Sequence, residues 1–234
     1  VAERTVVITG ASRGIGYATA LAFATLGDRV VIAARSGELL TELAQQAQEA
    51  GGRARAILCD ISREDQVSSL MRQAAGSRSH IDVLVNAAGA AIAKPLEQVT
   101  LDEWQAVLDS NLKGTFLCAK HALPYLHHGS VIVNLLAFAA REGYPHWTTY
   151  AAAKWALDGF TRAIREEVRK RGIRVISVVP YPVDTPMWDQ LPGRWPRDQM
   201  LRPEEVADAI VSAALAPADL FVEEIVLSSM RGIQ

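Results

Sequence analysis

"TVVITGASRGIG", Thr5 to Gly16, runs from a strand signal through a glycine-rich turn into helical sequence. Thr5–Thr9 is β-branched throughout, as in a strand covered on both faces. Residues from about Gly14 to Leu26 read as a helix. Gly10, Gly14 and Gly16 permit a tight turn and close backbone approach. The helix N-terminus behind them offers N–H groups and the positive end of a dipole to a phosphate. The turn lacks the Gly-Lys-Ser/Thr ending of a nucleoside-triphosphate loop, and its glycine spacing is wider than G-x-G-x-x-G. Placed between a first strand and a first helix, it points to a dinucleotide.

The alternation continues outward from there. "RVVIAA" (Arg29–Ala34) reads as a second strand, "ELLTELAQQAQEA" as a second helix closed by Gly51 and Gly52, and "RARAIL" as a third strand. Ser62 is expected to open the next helix, with Asp65 as its capping-box partner. "IDVLVN" (Ile81–Asn86) is a fourth strand. Thr100 and Glu103 form another capping box, ahead of helical sequence running, with a break near Asn111, to Leu126. "SVIVNL" is a fifth strand, a helix spans about Thr149 to Arg171, and "IRVISVV" is a sixth strand. Pro203 suits the first turn of a helix ending near Ala216, and "EEIVLS" is a short last strand.

Strands alternating with helices of this length imply a mostly parallel, seven-stranded sheet with helices on both faces. Right-handed crossovers make it a doubly wound, Rossmann-type α/β fold. The 234 residues, half of them hydrophobic and with net charge -2, read as a single domain over 1–234 that needs no disulfide or metal staple. The long irregular connection Tyr181–Asp198 contains four prolines and reads as a substrate loop, at about 181–200.

Composition narrows the function classes. Cys59 and Cys118 lack C-x-x-C spacing, which suits a reducing cytoplasm. The N-terminus does not read as a signal peptide, and apolar segments such as Val131–Ala140 fall well short of the ~18 residues of a membrane span. In the basic stretch Arg162–Arg174 acids interleave at i,i+4 (Arg162 with Glu166, Glu166 with Lys170, Glu167 with Arg171), the pattern of a solvated helix face and not of a nucleic-acid site. The five histidines, including the adjacent His127 and His128, do not have metal-ligand spacing, so no metal is expected.

The second strand ends Ala33-Ala34-Arg35-Ser36, without the acid that would grip a ribose 2′-hydroxyl. Arg35 and Arg13 instead suit the 2′-phosphate of NADP, so NADPH is the expected cofactor. Further on, Tyr150 and Lys154 are four apart and share a helix face. An ammonium near a phenol is expected to lower the tyrosine pKa. Tyr150 is then able to pass a proton to or from a carbonyl or alcohol oxygen while hydride moves.

Six pieces, in order over nearly the whole chain, resemble the short-chain dehydrogenase/reductase family: "TGASRGIG", Cys59-Asp60, "NAAG" at Asn86–Gly89, Asn111 in "NLKG", "YAAAK" at Tyr150–Lys154, and Pro180–Thr185. The resemblance implies a cofactor site of Gly10, Ser12, Arg13, Gly14, Ile15, Gly16, Arg35 and Ser36. Asp60, with Ile61 next to it, lies by the adenine. Asn86, Ala87 and Gly89 support the ribose region. Pro180, Val183 and Thr185 lie by the nicotinamide, Val183 and Thr185 flanking its carboxamide. It also implies that Tyr150 is the general acid/base, Lys154 binds the ribose hydroxyls, and Asn111 anchors a water in a proton relay. A homotetramer or homodimer follows from it too, paired through about Asn111–Leu126 and Thr149–Arg171, the latter carrying Trp155 and Phe160.

This chain departs from the family pattern at two places. The substrate-binding serine belongs thirteen residues before the tyrosine, where Ala137 stands, and no Ser or Thr occurs between Val131 and Trp147. Thr148 and Thr149 start the helix, where capping is expected of them. Tyr181 replaces the usual glycine after Pro180; it either points to solvent or supplies the lost hydrogen bond through its hydroxyl. Removing one positioned donor costs ~10²–10³ in turnover. That leaves a slow enzyme; the alternative is a silent NADP-binding sensor or partner protein. Phe138, His146, Trp147, Tyr181 and Trp188, with Met187 and Trp195 as further candidates, read either as the pocket of an apolar carbonyl or alcohol substrate or as ordinary packing.

Overall fold

The β-branched runs assemble into one parallel sheet. The computed structural model describes residues 3–217 and 219–232. Its strands are β1 (Thr5–Thr9), β2 (Arg29–Ala34), β3 (Arg53–Leu58), β4 (Val83–Asn86), β5 (Val131–Leu135), β6 (Arg174–Pro180) and β7 (Glu224–Leu227). They lie in the order β3-β2-β1-β4-β5-β6-β7, every neighbouring pair parallel. The doubly wound α/β fold expected from the alternation is the fold observed.

Because strand side chains alternate between faces, each strand feeds two cores. Val6 and Ile8 pack with α1 (Gly14–Thr25), α2 (Gly37–Glu49) and α7 (Pro203–Ala214), through Phe23, Leu40, Leu43, Val206 and Ile210. Val7 faces the other way, onto α3 (Glu64–Ala75), α5 (Gly114–Ala122) and α6 (Thr148–Arg169), through Leu70, Met71, Leu117 and Ile164. Strands β1, β4 and β6 are buried along their whole length, whereas the edge strands β3 and β7 are largely exposed. Among the described residues no helix is long and apolar enough to cross a membrane.

Two helix starts differ in how they are capped. The Thr100–Glu103 box forms at the start of α4 (Leu101–Leu108): Glu103 N donates to Thr100 Oγ1 at 3.2 Å, and Thr100 N to Glu103 Oε2 at 2.9 Å. The Ser62–Asp65 box does not form. Ser62 N and Oγ both donate to Asp60 Oδ1, at 3.0 and 2.8 Å, and α3 begins after Arg63. A local carboxylate outcompetes the helix end for that hydroxyl.

The break expected near Asn111 is a π-helical turn, Asp109–Lys113, between α4 and α5. Such turns widen a helix by one residue and recur at functional sites. The basic stretch on α6 is also not a simple solvated face. Arg162 pairs with Asp158 at 2.9 Å, Arg171 donates to the carbonyls of Leu123 and Leu126, and Glu166 pairs with Arg169. Arg165 and Arg174 are buried. Arg165 donates to the carbonyls of Val175 and Glu223, and Arg174 to those of Ala214 and Ala216 at the end of α7. Backbone carbonyls at strand and helix ends outbid an i,i+4 carboxylate here.

Candidate active site

The sheet order reverses between β1 and β4, and the residues singled out from the sequence gather outside the carboxyl ends of the strands there, where a crevice opens in doubly wound sheets. Gly10 has φ +67°, and a Cβ on it would lie 2.5 Å from the Ala88 backbone. A side chain is excluded, so the turn after β1 presses directly on the backbone after β4. Ala11 N donates to Ala33 O at 3.2 Å, which brings the turn to the end of β2 and sets Arg13 and Arg35, both exposed, on one rim. Helix α1 has no side-chain cap and no acid in its first turn. Its first internal donor is Tyr17 N, to Arg13 O, so the amides of Gly14, Ile15 and Gly16 face outward from the helix end.

Thr185 lies over this turn: a Cβ on Gly14 would sit 3.0 Å from its Cγ2. Ser12 and Ser36 are half-buried nearby, Ser36 starting α2 without a side-chain cap bond. Burial pushes the Asp60 carboxyl up, but the hydrogen bonds from Ser62, with the charges of Arg35 and Arg63, hold it below the usual range. Ile61 is turned inward against Gly114, leaving only its backbone at the rim. Asn86 is buried and donates to Asn134 Oδ1 at 2.9 Å, and Ala87 is half-buried. Pro180 ends β6, and Val183 bridges to Leu201.

Tyr150 and Lys154 stand on one face of α6. Lys154 is 4 % exposed, and its Nζ donates to Leu135 O, at the end of β5, at 2.8 Å. The ammonium lies over the tyrosine ring, 5.5 Å from its centroid. The π-helical turn buries Asn111 completely. Its Nδ2 donates to Ala90 O at 2.7 Å and Val107 O at 2.9 Å, while its Oδ1 is buried without a partner. That oxygen and the lysine share one space: a Cβ on Gly89 would be 2.7 Å from Asn111 Oδ1 and 3.9 Å from Lys154 Nζ.

The expected lowering of the tyrosine pKa is not what the pair produces by itself. Burial pushes the Tyr150 phenol up and pulls the Lys154 ammonium down to about 7. A lysine that is neutral half the time at that pH gives the phenol little field.

Ala137 follows β5 in extended backbone (φ -164°, ψ 164°) and starts the short turn Phe138–Ala140. Tyr181 is half-buried and stacks on Phe138, ring centroids 3.7 Å apart, so it does not simply point to solvent. Tyr144 is pushed up by partial burial, then by Glu142 and the Tyr181 phenol nearby. Trp147 stands edge-on to Tyr150 at 5.6 Å. Trp188 and Trp195 pack on Trp147 at 5.8 and 6.1 Å, and on each other at 4.7 Å. His146 is exposed, with φ +72°, and serves through its carbonyl, which accepts Lys94 N at 2.9 Å. Thr149 does not cap α6: it is buried, and its hydroxyl has no partner.

The sequence profile described as short chain dehydrogenase matches residues 4–194. The chain belongs to the short-chain dehydrogenase family. It is 36% identical over 224 residues to a 3-oxoacyl-[acyl-carrier-protein] reductase of Synechocystis sp., covering 92% of this chain and 91% of the relative. It is 37% identical over 232 residues to a cis-4-hydroxycyclohexanecarboxylate dehydrogenase of Sinomonas cyclohexanicum, covering 94% and 93%. Among solved structures it resembles an alcohol dehydrogenase of the archaeon Thermococcus sibiricus complexed with 5-hydroxy-NADP, with TM-score 0.91, 29% identity and 98% coverage of both chains.

This short-chain dehydrogenase holds one group that sequence reasoning passed over. Arg197 contacts Asp184 and donates to Asp189 and to the Thr185 carbonyl. An irregular loop has no period from which such a pairing is read; the available signal was opposite charge within one proline-rich connection. The Leu135 carbonyl that holds Lys154 was equally hidden, since backbone acceptors leave no trace in residue identity.

Proposed function

We propose that this short-chain dehydrogenase is an NADP-dependent oxidoreductase that interconverts a carbonyl and an alcohol, with Tyr150 as general acid/base. The observation that carries the reading is the meeting of Tyr150, Lys154 and the unpartnered Asn111 oxygen beside the uncapped, acid-free end of α1. The residues present fit the cofactor. Outward amides at a helix end suit a pyrophosphate, and the rim bearing Arg13 and Arg35 suits a 2′-phosphate. The archaeal neighbour with its bound NADP analogue supports the same choice.

When bound, NADPH supplies the hydride. Lys154 then gains ribose hydroxyls as acceptors, and hydrogen bonds to its charged form favour that form. The restored ammonium lowers the phenol's pKa, and Tyr150 passes its proton to the substrate oxygen. Asn111 Oδ1, a buried acceptor, holds the water that resupplies it. Ala137 presents no donor, so the substrate oxygen is held less well and the enzyme is slow.

The tryptophan wall around Tyr150 supports an apolar substrate, and the cyclohexane-ring relative suggests a cyclic one. The remaining parts of the reading are one functional unit over 1–234 with a substrate loop at 181–200, and a cytoplasmic homotetramer or homodimer. Cys59 and Cys118 are free thiols, and Phe116 and Trp155, 44% and 53% exposed, offer apolar surface for pairing. A silent, NADP-binding role is the second reading, favoured by Ala137 and by the raised Tyr150 phenol.

The deciding experiment is NADPH oxidation across a panel of cyclic and linear ketones, with Tyr150→Phe as control. Turnover on at least one ketone, lost in the control, is the expected result. Identical traces for the two proteins would favour the silent reading. Calorimetry should find NADPH bound more tightly than NADH, and Arg35→Ala should weaken NADPH roughly tenfold while leaving NADH unchanged, the loss of one exposed charged hydrogen bond. Equal affinities in the parent protein would sink the cofactor assignment.

A further inference from the structure

We propose that Arg197 is a positioning residue that couples the aromatic wall over Tyr150 to Thr185 at the glycine turn, so that the substrate and cofactor sides of the site close together. The inference rests on the dehydrogenase reading above and adds a residue that the family pattern does not supply.

The loop after β6 is held at its base by the Val183–Leu201 bridge, with Asp184 N donating to Leu201 O at 2.8 Å. Within it, Arg197 reaches three acceptors from one planar fork. Its Nε contacts Asp184 Oδ1, its Nη1 donates to Asp189 Oδ1 at 2.8 Å, and its Nη2 to Thr185 O at 3.0 Å. Its own amide donates to Trp195 O at 2.8 Å, and Trp188 Nε1 donates to Val183 O at 2.8 Å. One guanidinium therefore fixes the backbone of Thr185, which lies against Gly14, relative to the segment that carries Trp195. A lysine has one point charge and no fork, so it satisfies only part of this set.

Trp188 and Trp195 pack on Trp147, which stands against Tyr150. A ketone that reaches the half-exposed Tyr150 passes beside this wall, and loops that border such sites open and close in the catalytic cycle. The latch suits that cycle. Arg197, Asp184 and Asp189 are 34%, 42% and 64% exposed, so the pairs are weak, reversible and screened by salt. Because Thr185 is in the same clasp, a dinucleotide that fixes Thr185 also favours the closed wall.

The test compares the parent with Arg197→Ala and Arg197→Lys in three measurements: NADPH affinity by calorimetry, KM and kcat for a reduced ketone, and tryptophan emission on adding NADPH. Three of the five tryptophans lie in the wall, so its closure changes emission. In Arg197→Ala, the NADPH dissociation constant and the ketone KM should rise together, each roughly tenfold, the scale of ordinary coupling between sites. Turnover should fall much less, and the emission change should be lost. Arg197→Lys should show the same joint shift at smaller size, and it serves if the alanine variant fails to fold. High salt should reproduce the emission loss in the parent and add nothing in Arg197→Ala.

A rise in KM with unchanged NADPH affinity and an intact emission change would overturn the coupling, as would no change in any of the three. The binding and emission measurements need no turnover, so they judge the latch even if no ketone is reduced.

Discussion

Ala137→Ser raises the turnover of Tyr150-dependent ketone reduction by ~10²–10³, with little change in KM. A donor that meets the reacting oxygen gains strength as charge develops there, so it acts on kcat. Ala137 is half-buried in extended backbone, which serine adopts as readily as alanine. The position also starts the turn Phe138–Ala140, and serine is favoured at such starts. The new hydroxyl therefore has two possible partners. If the turn's own amide takes it, stability rises by ~1 kcal/mol and turnover stays where it was. If the substrate oxygen takes it, turnover rises with little change in melting temperature, and the gain disappears in a Tyr150→Phe background. An unchanged basal rate together with an unchanged melting temperature would mean that another group already holds the oxygen.

Lys154→Met gives the second large effect, in two opposite directions. Turnover falls by at least ~10², because nothing else restores the field on the Tyr150 phenol. Stability of the cofactor-free protein rises. Burial lowers Lys154 from its ordinary 10.5 to about 7. Below pH 7 both folded and unfolded chains carry the proton, and the cost of the buried charge is full. Between 7 and 10.5 the unfolded chain binds more protons, so stability climbs with pH; above that the cost is gone. Methionine removes this cost but leaves Leu135 O without its donor, so the net gain is about 2 kcal/mol at pH 7 or below and turns into a net loss before pH 10.5. Denaturant melts of the two proteins at pH 6.5 and pH 9.5 test it. A less stable Lys154→Met at pH 6.5 contradicts the account.

The strands were legible because their signal is local. Thr5–Thr9 and Arg29–Ala34 are β-branched or small runs whose burial on both faces leaves no other reading. Their parallel pairing followed from the helices between them. The Thr100 cap was legible because both partners are three residues apart and nothing closer competes. Ser62 failed for the opposite reason: Asp60, two residues back, took its hydroxyl.

Arg165 and Arg174 were misread because their partners are carbonyls brought near by the fold. The Tyr150–Lys154 spacing was right while its electrostatics were wrong, since i,i+4 spacing says nothing of how deeply an ammonium is buried. The tryptophan wall was readable as a list of residues, but its assembly depends on an irregular loop tied by the Val183–Leu201 bridge and by Arg197, contacts that leave no periodic signal.

The π-helical turn at Asp109–Lys113 works as a phase shifter. One added residue in an α-helix advances every later side chain by about 100°. Absorbed in a single wide turn, that advance stays local: α4 and α5 each keep their own apolar stripe, and only the joint between them is rotated. Asn111 sits in the joint and takes its aim from it. The direction of a buried amide oxygen is thus set in large part by a count of residues, with the Ala90 and Val107 carbonyls holding the amide and the bare Gly89 leaving room for the oxygen. Selection can retune α4 or α5 by ordinary substitution without disturbing that oxygen, whereas losing one residue between Leu108 and Gly114 would leave two sound helices and an asparagine pointing elsewhere.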